Sequence, residues 1–352
     1  MRNISGHVDV ELRKIFERLA DRHDLTVEEA RGVFEWLMAG QLSEALIGAL
    51  LGALLTKGEC VDELVGAAQA MRANALRVQC DPDAIDTCGT GGDGISTFNV
   101  STAAAIIAAA AGATVAKHGN RSSTRVSGST EVLTTLGINV DADRETVERC
   151  LREVRIGYLN ARLLHPAMKY AAPIRQTLPI RTIFNLLGPL TNPAGVRRQL
   201  VGVPRPELME KIGEALKRLG ATRAWVVHGS DGLCDLSITG PTMVFELQDD
   251  TLNKFTLTPE EVDLRRGTLN ELLVTSPAES AERIMAILSG EMSTARNHAL
   301  LNAGAALVVA GLKETLSDGI LLAAQAIDDG RALATLQQWQ VLAGSSAHRK
   351  EA

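Results

Sequence analysis

The sequence predicts an α/β protein in which a small all-helical domain precedes a large α/β domain, its mostly parallel central sheet flanked by helices. Three observations carry this reading. Residues up to about 76 show helical periodicity only. From Ile85 onward, short apolar runs alternate with helical segments, as they do in strand-helix-strand units whose strands are buried on both faces. Two loops dense in glycine, hydroxyl and amide residues each follow one of these runs, where open α/β sheets collect ligands.

In chain order, residues 8–19 space their apolar side chains for a first helix. Thr26-Val27-Glu28-Glu29 reads as a capping box opening a second, which carries Val33, Phe34, Trp36, Leu37 and Met38. Ser43 caps a third over 45–55, closed by Lys57-Gly58, and a fourth runs over 61–77. Leu46, Ile47, Leu50, Leu51, Leu54 and Leu55 cover more than one helical stripe, so the third helix is expected to be buried on several sides, with a second copy of the chain covering one of them. Strands are expected at 85–88, 114–116, 138–140, 156–159, 200–203 and 224–227, with helices at 101–111, 129–136, 143–154 and 206–219 between them. Gly240-Pro241, the run 243–247 and the polar stretch 248–253 suggest an antiparallel excursion. Helices return at 281–288, 294–310 and 316–326. The expected domains are residues 1–78, with a contribution from about 165–185, and residues 79–345, leaving 346–352 as a tail. Tight crossings near 79–84 and 165–181 join the two.

The 352 residues and 45% hydrophobic content suffice for about two domains with a large core. A net charge of −6 and 3% aromatic residues argue against a broad nucleic-acid footprint or base-stacking platform, and against a membrane-surface role. Five cysteines at irregular spacing, with no C-x-x-C pair, read as buried thiols in a reducing compartment. The first residues lack the apolar core of a signal peptide, and the run 103–111 is too short to span a bilayer, so a cytoplasmic location is expected.

With no basic overall field, an anion must be bound locally. The first loop, Asp86-Thr87-Cys88-Gly89-Thr90-Gly91-Gly92-Asp93-Gly94, continues through Thr97 and Asn99 to Ser101-Thr102. The second is Lys117-His118-Gly119-Asn120-Arg121-Ser122-Ser123-Thr124-Arg125, with Ser129 behind it. Glycines admit close backbone approach and positive φ, hydroxyls and amides add neutral donors, and Lys117, Arg121 and Arg125 add charge: this is the chemistry of a polyphosphate site. The first loop also fits G-x-G-x-x-G. A dinucleotide fold, however, needs a helix directly off the last glycine and an acidic residue about 20 positions on. The chain stays polar to Ser101-Thr102, and residues 105–116 contain no charge.

Together with His165-Pro166-Ala167-Met168-Lys169 and the segment from Arg181-Thr182-Ile183-Phe184-Asn185 to Thr191-Asn192-Pro193, these loops resemble the anthranilate phosphoribosyltransferases over about residues 10–336. The related pyrimidine nucleoside phosphorylases share the glycine loop but match less after Lys117. The resemblance implies transfer of phosphoribosyl from phosphoribosyl pyrophosphate to anthranilate, on the branch toward tryptophan, by a magnesium-dependent homodimer joined through its helical part, with a separate amidotransferase subunit as a possible associate. It implies that Gly89, Gly92, Asp93, Thr97, Asn99, Val100, Ser101, Thr102, residues 117–125 and Ser129 hold the donor. Gly89, Asn120, His165 and Arg175 would face anthranilate, with His118 a candidate proton acceptor, and Ser101 and Asp235 would hold metal.

The chain also departs from the family. Where an Asp-Glu pair is usual for magnesium, it has Cys234-Asp235, and a neutral thiol is a poor ligand for an ion that prefers hard oxygens. Asp231 is a candidate substitute. Tyr158-Leu159-Asn160-Ala161-Arg162 replaces an apolar segment, and Pro179 stands where glycine is usual. These changes leave open another aromatic acceptor, a phosphorylase-like activity or a silent ligand-binding paralogue.

Overall fold

The computed structural model describes residues 6–121 and 125–344. Four helices come first: α1 Gly6–Ala20, α2 Val27–Met38, α3 Glu44–Lys57 and α4 Val61–Ala73. The capping box of α2 forms in both directions, Glu29 N–H to Thr26 Oγ1 at 3.2 Å and Thr26 N–H to the Glu29 carboxylate at 2.9 Å. Helix α4 ends at Ala73, short of the expected 77, because the Asn74 side chain turns back to the Ala70 carbonyl (2.9 Å) and the backbone then runs to Leu164, whose carbonyl accepts the Leu76 N–H. Within one chain, α3 is buried along a single stripe, Ile47, Leu50, Leu51 and Leu54, whereas Ala45, Ala49 and Leu55 are exposed. The expected second cover is therefore not supplied by the chain itself.

The remainder forms a seven-stranded sheet in the order β3-β2-β1-β4-β5-β6-β7. Its strands are β1 Ile85–Gly89, β2 Val115–Gly119, β3 Ile156–Asn160, β4 Arg198–Gly202, β5 Arg223–Gly229, β6 Thr242–Gln248 and β7 Thr251–Leu257. The first five are parallel; β6 and β7 form the antiparallel excursion. Asp249 and Asp250 turn the hairpin with φ of 48° and 69°, the left-handed pair that matches strand twist. The connecting helices are α5 Val100–Ala110, α6 Ser129–Thr135, α7 Arg144–Glu153, α8 Ala161–Leu164, α9 Ala172–Thr177, α10 Phe184–Leu187 and α11 Glu207–Arg218. Helices α12 Pro277–Leu288, α13 Thr294–Val309, α14 Leu316–Asp328 and α15 Arg331–Ala343 complete the chain. The expected tail, 346–352, lies outside the described residues.

The expected strand at 138–140 is absent. Ile138 and Val140 are buried, but no neighbouring strand offers them a ladder: the Ile138 N–H returns to Leu133 at the end of α6, and the Val140 carbonyl accepts from the Asn160 side chain. Burial without a pairing partner makes a packed turn. Helix α15 was not anticipated; Leu336 and Trp339 bury it against α5 and α7.

Two cores flank the sheet. On one face the alanine-rich α5, buried at Val100 and from Thr102 to Ala109, packs under α12, α13 and α15. On the other, α1 to α4 share a core with Ala171, Ile174, Ile183 and Phe184 and with Val201, Val226 and the apolar side of α11. The sheet thus brings the C-terminal ends of β1, β2, β4 and β5 to one edge. At that edge β4 ends in Gly202, where an added Cβ would lie 1.6 Å from the Cys234 carbonyl oxygen. We expect Gly202→Ala to displace the 229–235 loop and lower stability by roughly 1–3 kcal/mol, as overpacking does; an unchanged urea midpoint would show that the loop yields without cost.

Candidate active site

The glycine loop follows β1 directly. Gly91, Gly92 and Gly94 take φ of 58°, 98° and 70°, so the chain folds back tightly, and the Thr90 N–H donates to Gly202 on β4 (2.9 Å). Arg181 lies against the loop: its Nη2 donates to the carbonyls of Thr90 (2.9 Å) and Gly91 (3.0 Å), and a Cβ on Gly92 would strike its guanidinium. Only glycine fits there. The loop leads to Asn99, whose side chain accepts the Thr102 N–H at 3.0 Å and starts α5. Polyphosphate oxygens suit such a helix start, where unpaired N–H groups and the helix dipole favour negative charge.

Lys117, on the neighbouring strand β2, is only 1% exposed. Its ammonium donates to the Thr87 carbonyl (2.6 Å) and the Ser101 hydroxyl (3.1 Å), joining β1, β2 and the first turn of α5. Burial lowers its pKa, opposed by Asp86. Burial raises Asp86 to about 6 despite Lys117 and the donors His118 N–H (3.1 Å) and Asn192 Nδ2 (2.8 Å). His118 points into the protein. Its Nδ1 lies 3.1 Å from the Gly188 carbonyl, to which it donates, and its Nε2 lies 3.3 Å from His165 Nε2. Burial depresses both rings, His118 to about 3 and His165 to about 4. Burial and the Gly188 contact leave the His118 ring little basicity.

At the other end of the cleft, Asp93 in the glycine loop and Asp235 after β5 face one guanidinium. Arg125 Nε donates to Asp93 Oδ1 at 2.7 Å, its Nη2 bonds to Oδ2, and the same Nη2 lies 3.7 Å from Asp235. Burial alone would raise Asp93, but the Arg125 fork and the Cys234 and Ile95 N–H groups hold it below the usual carboxylate range. Asp235 rises to about 7 through burial, eased by Arg125. Burial also pushes the Cys234 thiol well above its ordinary value, so it is neutral. Asp231 is engaged within its own loop: Ser237 Oγ and Thr239 Oγ1 donate to its Oδ2 (both 2.6 Å), and the Leu233 N–H to its Oδ1.

The structure thus brings Gly89, Gly92, Asp93, Asn99, Ser101, Lys117, Arg125, Cys234 and Asp235 to one sheet edge. Gly119 ends β2 against the Tyr158 ring, and Ser129 opens α6. Asn120 and Arg121 are exposed at the loop, where Asn120 Oδ1 accepts the Arg121 N–H. Residues 122–124 lie outside the described residues. Thr97, Val100 and Thr102 are interior: the Thr97 and Thr102 hydroxyls are buried and unpartnered, and the Val100 N–H goes to Phe98. Arg175 sits on α9 with its guanidinium 5.0 Å from the Phe184 ring centre, without a carboxylate partner among the described residues; burial lowers its pKa. Arg181, Asp86 and Asn192 were given no role in the sequence. The signal for Arg181 was a cation in the apolar stretch 178–184, and for Asp86 a carboxylate opening a buried strand.

The family described as "Glycosyl transferase family, helical bundle domain" matches residues 13–75, and "Glycosyl transferase family, a/b domain" matches residues 81–333. An anthranilate phosphoribosyltransferase of Methylocella silvestris is 46% identical over 93% of this chain and 94% of its own length. One from Anaeromyxobacter sp. is 48% identical over 93% of this chain and 97% of its own. The crystal structure of the Thermus thermophilus anthranilate phosphoribosyltransferase superimposes with a TM-score of 0.88 at 39% identity, covering 93% of this chain and 98% of that one. The Saccharomyces cerevisiae enzyme, in complex with phosphoribosyl pyrophosphate and magnesium, superimposes with a TM-score of 0.87 at 26% identity, covering 96% and 98%.

The histidine pair sets a pH dependence. Because both folded-state values lie below the ordinary 6.5, the pair binds more protons in the unfolded chain between about pH 4 and 6.5, so its contribution to stability is lost as pH falls through that window, while Asp86 and Asp235, raised by burial, act in the opposite sense. We expect His118→Asn to show a smaller difference in urea stability between pH 4.5 and 7.5 than the parent; an equal difference would assign the acid sensitivity elsewhere.

Proposed function

The chain belongs to the anthranilate phosphoribosyltransferase family, and we propose that its cleft performs that family's transfer with the residues assembled at the ends of β1, β2, β4 and β5. The reaction joins the amino nitrogen of anthranilate to the anomeric carbon of phosphoribosyl pyrophosphate and releases pyrophosphate. The observation that carries the assignment to this cleft is the glycine loop running into the Asn99-capped start of α5, with a buried ammonium behind Ser101.

The glycine loop and the start of α5 hold the phosphates of the donor. As the bond from the anomeric carbon to the diphosphate oxygen breaks, negative charge grows on the leaving group. Donors already oriented by Lys117, Asn99 and Arg181 then attract it more strongly than they attract the bound donor, which lowers the barrier. The Arg175 guanidinium, half-buried and without an acid partner among the described residues, pairs with the anthranilate carboxylate beside Asn120. The aromatic nitrogen attacks a carbon of oxocarbenium character and loses its proton once the new bond has acidified it, so no strong base is required. His118 and His165, neutral and engaged with each other, hold the β2 end in place.

Ser101 and Asp235 suit magnesium. They line a cavity of about 10 Å³ together with Thr87, Cys234 and Asn302, and their oxygens are the hard donors this ion prefers. Bound with the donor, magnesium would neutralise diphosphate charge. The exposed Ala45, Ala49 and Leu55 of α3 support a homodimer through the helical part. Five free cysteines support a reducing, cytoplasmic location.

Purified protein mixed with anthranilate, phosphoribosyl pyrophosphate and magnesium is expected to consume anthranilate fluorescence only when donor and metal are both present; persistence of the signal while donor binds would remove anthranilate as the acceptor. Arg175→Ala is expected to raise KM for anthranilate roughly 10- to 100-fold, the loss of one charged hydrogen bond; an unchanged KM would place Arg175 outside the acceptor site.

A further inference from the structure

The acidic end of the cleft already contains a cation. Asp93 has about four acceptor positions on its two oxygens, and four donors fill them. Arg125 Nε (2.7 Å) and the Ile95 N–H (3.4 Å) reach Oδ1; Arg125 Nη2 and the Cys234 N–H (3.2 Å) reach Oδ2. The Asp93 side chain is fully buried, and those of Arg125 and Asp235 are 15% and 10% exposed. A metal ion at Asp93 would have to displace the guanidinium. Nor do the neighbours form a cage for one: among the described residues only Asp24, Cys60 and Glu63 bring three such ligand atoms within 4.8 Å of one another, and there the Lys57 ammonium occupies the cluster. Cys234 adds a neutral thiol to the wall of the cleft instead of a carboxylate. Arg125 and Cys234 are thus complementary: the acid that a second divalent ion needs is missing where a permanent monovalent cation is present.

We propose that the Arg125 guanidinium is the resident cation of this end of the cleft, so that each protomer binds phosphoribosyl pyrophosphate with one divalent ion, at Ser101 and Asp235, and none at Asp93. A guanidinium stays charged at every working pH and, forked onto Asp93, ties the end of the second loop to the first. The Val126 N–H to Ser96 Oγ contact (3.3 Å) is a second tie between the same segments. The inference rests on the cleft being the donor site.

Equilibrium dialysis of the full-length protein against saturating Mn2+ and phosphoribosyl pyrophosphate, with retained manganese and phosphorus both counted, tests it. One manganese per retained donor is expected for the parent and for Cys234→Asp/Asp235→Glu, in which Arg125 still fills Asp93. Adding Arg125→Ser to that pair is expected to raise the ratio to two. A ratio of two in the parent overturns the proposal, as does a ratio that stays at one in the triple variant with its circular dichroism intact. Should the triple variant not fold, Arg125→Gln in the same Cys234→Asp/Asp235→Glu background decides: the neutral side chain leaves Asp93 without its cation, and a manganese ratio above one is expected, an unchanged ratio overturning the proposal. If no donor is retained by the parent, the reading of the cleft fails and this inference with it, a result distinguished by the absence of bound phosphorus.

Discussion

A lysine ammonium held out of water is the constraint on which the cleft depends. An unpaired charge in the interior costs several kcal/mol, so Lys117 must be surrounded by acceptors. The Thr87 carbonyl is on β1, the Ser101 hydroxyl opens α5, and the Asp86 carboxylate acts on the ammonium through its charge. Satisfying one ammonium therefore fixes two strand ends and a helix start relative to one another. Asp86 extends the arrangement by accepting from the His118 backbone and from Asn192, whose amide also reaches the Ala116 carbonyl on β2. The proposed anion-binding surface is the exposed side of this buried polar network.

Three cations act here in ways that follow from their shapes. The compact ammonium of Lys117 fits an interior niche. The planar fork of Arg125 spans both oxygens of Asp93, and that of Arg181 reaches two successive carbonyls of the glycine loop. In a chain of net charge −6, these positions would let the proposed polyanion be bound by local geometry, without attraction from the whole surface. The same economy of space appears at Gly92 and Gly202, where a single methyl group would collide with Arg181 or with the Cys234 backbone.

Much of this was legible in residue order. Gly89 to Gly94, Asn99 and Lys117 to Arg125 are local signals, since loop conformation and helix capping depend on neighbours in sequence, and the parallel strands announced themselves as short runs buried on both faces. What residue order left open shares a cause. Residues 138–140 have the composition of a strand, but a strand also needs a partner edge, and that is decided elsewhere in the chain. The surface of α3 is apolar on two stripes, but which stripe the chain covers depends on where α1 and α9 come to rest.

By itself, then, the sequence determined the order of elements, the two loops, the chemistry those loops offer to a polyphosphate and, through its motifs, the family. Tertiary structure decided which polar groups meet. Arg125 and Asp93 are separated by 32 positions, Arg181 and Gly91 by 90, and Cys234 and Asp93 by 141. No periodicity links residues so far apart; they are joined because five parallel strands end at one edge and the unpaired charges carried there are driven to neutralise one another.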